Sequence, residues 1–291
     1  MNIYRNQFFE GERPLFAEKD LSLEEVKFYP GESALKHTEN VRMNHCELMG
    51  KYPLWHSGNV DIRNSYFTVY ARAAIWYTHD LHMENCQVDA PKMFRECSDI
   101  DIINSPFSNA EECLWNCKNI KLREVKMENA DYVFMNSRNI EAVQYDLRGN
   151  YSFQGAKNVV IRDSHLRSKD AFWHAENVTV YDSVLDGEYL GWHSKNLTLV
   201  NCTIRGEQPL CYASDLKMVN CTMQETDLCF EYSTVEADIN GSILSVKNPN
   251  GGRIKAASIG EIIIDQNCLY PGACEIIETE KQGCAGCEAR F

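Results

Sequence analysis

The sequence lacks a long hydrophobic run. Nowhere in its 291 residues does an apolar stretch approach the roughly 20 residues that a membrane-spanning helix needs, and the mean hydropathy is −0.41. It also lacks a basic excess. Lys and Arg number 29 against 42 Asp and Glu, a net charge of −13, so no broad cationic surface would release counterions from a polyphosphate. The opening MNIYRNQFFEGERPLF has no basic region followed by an apolar stretch, so no secretory signal is expected. These absences argue against membrane and nucleic-acid partners and lead to the expectation of a cytoplasmic protein. What is present is apolar material enough for a continuous core, 44% of residues, and 13 cysteines. The odd number leaves at least one cysteine unpaired, and a reducing compartment would keep them as free thiols.

The chain repeats. KYPLWHSGN from Lys51, ECLWNCKN from Glu112, DAFWHAEN from Asp170 and EYLGWHSKN from Glu188 each end in Asn and lead into VDIRNSYF, IKLREVKM, VTVYDSVL and LTLVNCTI. The closing Asn or Asp recurs at Asp20, Asn40, Asn59, Asp80, Asp99, Asn119, Asn139, Asn158, Asn177, Asn196 and Asp215, with degenerate anchors read at Glu236 and Glu261. The mean interval is about 19.6 residues, within the range of solenoids. Asn-X-Thr triplets, as at Asn177, Asn196 and Asn201, are by-products of this repeat. Apolar and polar residues alternate after each anchor, as in Val60-Asp61-Ile62, which is the period of a strand. Asn, Asp, Gly and Ser gather at the joins, where turns belong. The expected fold is all-β: a single right-handed parallel β-helix of about 12–13 coils of 19–21 residues, with roughly three short strands per coil and coils ~4.8 Å apart. It is read as one domain over 1–268, followed by a Cys-containing C-terminal tail over 269–291.

With the anchor as position ten, the columns sort into inside and outside. Positions eleven and thirteen are apolar. Position sixteen is small, with Cys46, Ser65, Cys86, Ser105, Ser164, Ser183, Cys202 and Cys221, which predicts buried, inert thiols. Position fifteen carries Asn64, Asn85, Asn104, Asn201 and Asn220, a stack of amides expected to satisfy turn backbone. Position five holds only uncharged, mostly large apolar residues, so it points in. Position six must then point out. It holds Lys36, Arg95, Gln154 and Glu231, and all five tryptophans: Trp55, Trp76, Trp115, Trp173 and Trp192. Position seven, with His37, His56, Tyr77, His174, His193, Tyr212 and Tyr232, is expected inward or at a strand edge.

The position-six column is the candidate site. Coils two to six would place Lys36, Lys51, Arg72, Lys92 and Arg95 around Trp55, Trp76 and Trp115, with Glu112 alongside. A second cluster joins Asp170, Trp173 and Trp192. Indole faces could stack on pyranose rings while the cations hold carboxylates, sulfates or phosphates, which points to a saccharide or another small anionic ring compound as partner. In an enzyme, Lys92 or Arg95 would serve as base or charge stabiliser with Glu112 as the partner acid. The same residues could instead form a self-satisfied ladder of cation–π contacts. No metal or cofactor is expected. The alternative is zinc held by Cys268, Cys274, Cys284 and Cys287, but the first pair is five residues apart rather than two to four.

The motifs GERPLF, GESALK, KYPLW, ARAAIW, APKMFR, KDAFW and GEYLGW resemble an uncharacterised bacterial family known only as a domain of unknown function, within the pectin-lyase-like superfamily of right-handed β-helices. The resemblance covers roughly residues 6–265. It implies the fold and a cytoplasmic bacterial protein, and it brings no activity with it. The polygalacturonase pattern of the wider superfamily is absent: only Arg253-Ile254-Lys255 matches, without the aspartates. Two functions stay open: a lyase- or hydrolase-like enzyme acting on a saccharide, or a non-catalytic scaffold or protein-interaction β-helix.

Overall fold

The computed structural model describes residues 1–282. The chain is all-β and winds as a parallel β-solenoid of about 15 turns. It divides into two units, Met1–Asn158 and Val159–Phe291.

In unit 1, each coil sends one strand to a first sheet and one to a second; from Glu39 on, the first strand has six residues and the second two or three. The first sheet stacks Lys19–Glu24, Glu39–Asn44, Gly58–Arg63, His79–Glu84, Ser98–Ile103, Lys118–Arg123 and Arg138–Val143 in chain order. The register aligns Leu21, Val41, Val60, Leu81, Ile100, Ile120 and Ile140, which are the position-eleven residues. The second sheet aligns Phe28, Leu48, Phe67, Val88, Phe107, Met127 and Leu147. All of these are buried. Like stacks on like because the register restarts at each anchor, and the one- or two-residue differences between coils are taken up in the turns.

The third side of the coil is a stack of turns rather than the expected third strand. Its residues at position five, including Leu54, Ile75, Phe94 and Leu114, adopt the left-handed conformation with φ between 57° and 60°. For an L-residue this costs about 1–2 kcal/mol. Full burial of a Leu or Phe side chain contributes about 1.5–3 kcal/mol, so burial offsets the strain. The anchors and position fifteen are left-handed too, as at Asn59 (φ 49°) and Asn64 (φ 49°). That is why Asn and Asp prevail there: their short side chains tolerate this region. Their amides join side chain to side chain, with Asn59 donating to Asn40 at 2.8 Å and Asn64 to Asn44 at 2.8 Å. The amide stack thus satisfies itself rather than turn backbone.

In unit 2, Glu176–Tyr181, Lys195–Val200, Leu216–Gln224, Thr234–Ile239, Gly251–Ala256 and Cys274–Glu278 form one sheet. His165–Arg167, Val184–Asp186 and Thr203–Arg205 form the other, and Leu216–Gln224 is long enough to belong to both. Ser242–Lys247 and Ser258–Ile263 pair separately. The strand Cys274–Glu278 lies beyond residue 268, where the solenoid was expected to stop. The degenerate anchors were also misplaced. Leu216 aligns with Val235, so Thr234 takes the anchor position rather than Glu236. Glu261 lies in the separate pair of strands, and the last two coils have no anchor side chain to read.

Candidate functional site

The left-handed residues at positions five and seven change which side chains face out. Strict alternation would send position seven inward. With φ positive at both, positions six and seven both point outward and position eight turns in, where Thr38, Ser57, Thr78, Cys97, Cys117 and Ser137 are buried. The His and Tyr column is therefore an outward stack, where it was expected inward or at a strand edge. His37 and His56 stack with ring centroids 4.9 Å apart, and His56 and Tyr77 4.6 Å apart. In unit 2, His174 stacks on His193 at 4.9 Å, and His193 on Tyr212 at 4.8 Å.

Beside it in unit 1 runs the tryptophan column. Lys36 sits 5.5 Å from the Trp55 ring. Trp55 and Trp76 stack 5.0 Å apart and 8° from parallel. The Arg95 guanidinium lies between Trp76 at 4.3 Å and Trp115 at 4.5 Å, and its Nε meets no acceptor. Each of these indoles donates its N–H to a backbone carbonyl of the next coil: Trp55 to Ala73 at 2.6 Å, Trp76 to Lys92 at 2.8 Å and Trp115 to Tyr132 at 2.6 Å. The ladder thus consumes both faces of Trp55 and Trp76 and every indole donor.

The charged residues are largely consumed as well. Glu112 accepts from Lys92 at 3.0 Å and from Arg95 at 3.2 Å. Lys51 reaches Glu32 at 3.5 Å. Arg72 is exposed, and neither it nor Lys36 has a carboxylate partner among the described residues. Of the predicted unit 1 residues, the structure brings Lys36, Trp55, Trp76, Lys92, Arg95, Glu112 and Trp115 into one continuous stack and leaves Lys51 and Arg72 outside it.

In unit 2 the predicted residues are arranged differently. Trp192 donates to the Gln208 carbonyl at 2.8 Å, but its neighbours are tilted, with Tyr189 at 63° and Tyr212 at 60°. Trp173 packs its ring 6.0 Å from that of His174. Lys169 pairs with Glu188 at 3.1 Å. Asp170 is only 5% exposed. Further along, position six does become core. Cys211 is fully buried with its Sγ against the Leu228 carbonyl at 3.4 Å, and Glu231, 8% exposed, is covered by Lys247 at 2.9 Å. The expectation that the whole position-six column faces solvent fails at these two residues. A salt bridge lets a carboxylate go under instead.

The small column at position sixteen is buried as expected, including Cys46, Cys86, Cys202 and Cys221. These residues serve the corner backbone: Ser65 Oγ accepts from the Cys46 N–H at 3.0 Å, and Ser105 Oγ from the Cys86 N–H at 3.0 Å. Burial pushes the Cys46 and Cys86 thiols up to about 11. Among the described residues, no group of three or more His, Cys, Asp or Glu is placed to hold a metal. Cys268 and Cys274 are half-buried free thiols, and Cys284 and Cys287 lie outside the described residues.

A family model matches residues 2–277 and is described as protein of unknown function (DUF3737). The chain belongs to this family. Its parallel β-solenoid is consistent with the pectin-lyase-like β-helix that the motifs resemble. No curated protein matches it. Among solved structures it is similar to PfbA, a surface adhesin of Streptococcus pneumoniae, at 10% identity and TM-score 0.37, covering 91% of this chain and 84% of that one. It is also similar to the A-module of the mannuronan C-5 epimerase AlgE4 of Azotobacter vinelandii, at 9% identity and TM-score 0.28, covering 92% and 86%. A third is the catalytic domain of a GH87 alpha-1,3-glucanase in complex with tetrasaccharides, at 11% identity and TM-score 0.28, covering 96% and 61%. No helix among the described residues is long and apolar enough to cross a membrane.

Proposed function

We propose that the protein is a non-catalytic β-solenoid scaffold whose outward ladder in unit 1 stiffens the coil stack. The observation that carries this reading is the covering of both faces of Trp55 and Trp76, by Lys36, by each other and by Arg95. A sugar ring laid over Trp55 and Trp76 would meet indole edges, not faces. The catalytic assignment is also weakened. A general acid or base must present a lone pair or proton to a substrate, whereas Glu112 is held by both Lys92 and Arg95. The test compares the parent with Trp76→Ala and Arg95→Ala. The expected outcome is that both variants lose stability and that the parent releases no new unsaturated or reducing ends from a polysaccharide panel. Turnover of any panel member would overturn the reading.

A second reading places an anionic saccharide at the rim of the same ladder. Its support is Lys36 and Arg72, the two cations of the predicted unit 1 face that have no carboxylate partner among the described residues. Replacing both with Gln should then abolish retention of a uronate oligosaccharide without changing stability.

A further inference from the structure

Unit 2 ends on two strands that have a neighbour on one side only. Ser258–Ile263 pairs with Ser242–Lys247, and Cys274–Glu278 pairs with Gly251–Ala256; among the described residues no further strand follows either. The core columns run out with them. Val246 is fully buried, whereas Ile262, its partner in register, is 41% exposed. Ile254 is fully buried, and Ile276 beside it is half-buried. The connection between the two strands exposes Ile264, Leu269 and Tyr270 as well. An unpaired strand edge is a template for another strand, and an exposed apolar patch marks an interaction surface. The chain closes only the start of this edge: the Ile259 N–H donates to Glu278 Oε1 at 2.9 Å, and the Glu280 N–H to the Ala257 carbonyl at 3.0 Å. The outer edge of residues 260–263 has no backbone partner among the described residues.

Charge selects the occupant. Residues 257–280 carry Glu261, Asp265, Glu275, Glu278 and Glu280, and no Lys, Arg or His. A second copy pairing on the same edge would set these carboxylates against their own kind, and like charges across a strand pair are destabilising. We propose that this end of unit 2 docks an extended, basic and apolar segment of a partner protein, added as a strand along residues 260–263. Its backbone pairs with the free edge, an apolar side chain covers Ile262, and its Lys or Arg side chains meet the surrounding carboxylates. The start of unit 1 is the contrast. Asn2–Arg5 and Phe8–Glu12 are edge strands too, but there Arg5 and Arg13 balance Glu10 and Glu12, so no excess of either sign recommends a partner. The docking surface lies apart from the unit 1 ladder and does not depend on the scaffold reading.

The test titrates the full chain with a short capped peptide of alternating Lys and Val, followed by calorimetry and by hydrogen exchange. The peptide should bind and slow amide exchange within residues 260–263. A Glu–Val peptide should not bind. A Lys–Pro peptide, equally charged but without the N–H groups a strand needs, should bind at least tenfold more weakly. Glu261→Lys with Glu280→Lys should weaken binding of the Lys–Val peptide tenfold or more. Glu207→Lys with Glu225→Lys, the same change of net charge at exposed residues elsewhere in the unit, should leave it unchanged. Glu261→Gln with Glu280→Gln should weaken it in the same direction, which keeps the test readable if the reversed pair folds poorly. The proposal falls if the full chain ignores the Lys–Val peptide, if the Lys–Pro peptide binds as tightly, or if the distant reversal costs as much. It falls as well if the parent self-associates in sedimentation and Ile264→Lys releases the monomer, because the edge would then belong to a second copy.

Discussion

The tryptophan ladder of unit 1 and the aromatic cluster of unit 2 grow from the same column of the same repeat, yet they end in different states. In unit 1, Trp55 and Trp76 are 8° from parallel and Arg95 fills the next rung with a flat cation. In unit 2, the rung after Trp192 is Cys211, which offers no plane to stack on, and the indole turns toward Tyr189 and Tyr212 at 63° and 60°. A repeat therefore fixes where a side chain emerges, while the occupant of the next rung decides whether its face is spent on the protein. A run of planar neighbours makes a strut. An interrupted run leaves an open cluster of tilted rings.

The largest expected difference between the two regions is in truncation of the indoles. Trp76→Ala should cost about 2–3 kcal/mol, since it removes two stacking partners and a hydrogen bond and opens a gap between rungs. Trp192→Ala should cost about 1–2 kcal/mol, because its hydrogen bond is equivalent but its ring contacts are tilted. Urea denaturation of both variants measures this. Equal losses would break the distinction between strut and open cluster.

A smaller effect separates the cations. Arg95→Lys keeps the charge near Glu112 but loses the planar group between two indoles, so it should cost about 1 kcal/mol. Lys169→Ala, at an exposed ion pair, should produce no measurable change in the same experiment. A loss at Lys169 matching that at Arg95 would mean that unit 2 also relies on its cation.

Much of this was legible in the sequence. The anchor spacing gave the coil length, and the apolar positions eleven, thirteen and five gave the core, because each is repeated often enough to outweigh exceptions. Two things were hidden. The inversion of position seven depends on left-handed φ at residues such as Ile75 and Tyr77, whose types normally avoid that region. Alternation, which assumes extended backbone, could only misplace that column. The burial of Glu231 depends on Lys247, outside the recognisable repeat. The covering of the indole faces was foreshadowed by their common register, but whether neighbouring rungs would stack or tilt depends on angles that residue order does not encode.

Acid titration sharpens the comparison further. The Asp170 carboxyl is raised by burial in the folded chain, so the folded state binds its proton more tightly than the unfolded one. Asp170→Asn removes that buried charge, so it should stabilise the fold at pH 7, with an effect that shrinks as pH falls through the raised folded value and vanishes below the ordinary carboxyl range near 3.8. An advantage that grows on acidification would contradict a carboxyl raised by burial.

The smallest expected effect lies in the two histidine stacks, which titrate in the opposite sense. His56 is lowered first by burial, then by His37 and Lys36. His193 is lowered by burial and by His174. A histidine whose folded pKa lies below its unfolded value of about 6.5 resists protonation only while folded. Its contribution is complete above that value and is lost as pH falls through it toward the lowered one. Both stacks should therefore weaken modestly on going from pH 7 to pH 5, and both imidazoles should titrate below the ordinary range when followed by NMR. The difference between the units is the neighbouring ammonium, since Lys36 faces the unit 1 stack and no lysine contributes to the shift of His193. Lys36→Gln should raise the midpoint of His56 and leave that of His193 where it was. If His56 does not move, its shift belongs to burial and to His37, and the cation beside Trp55 has no electrical reach into the neighbouring column.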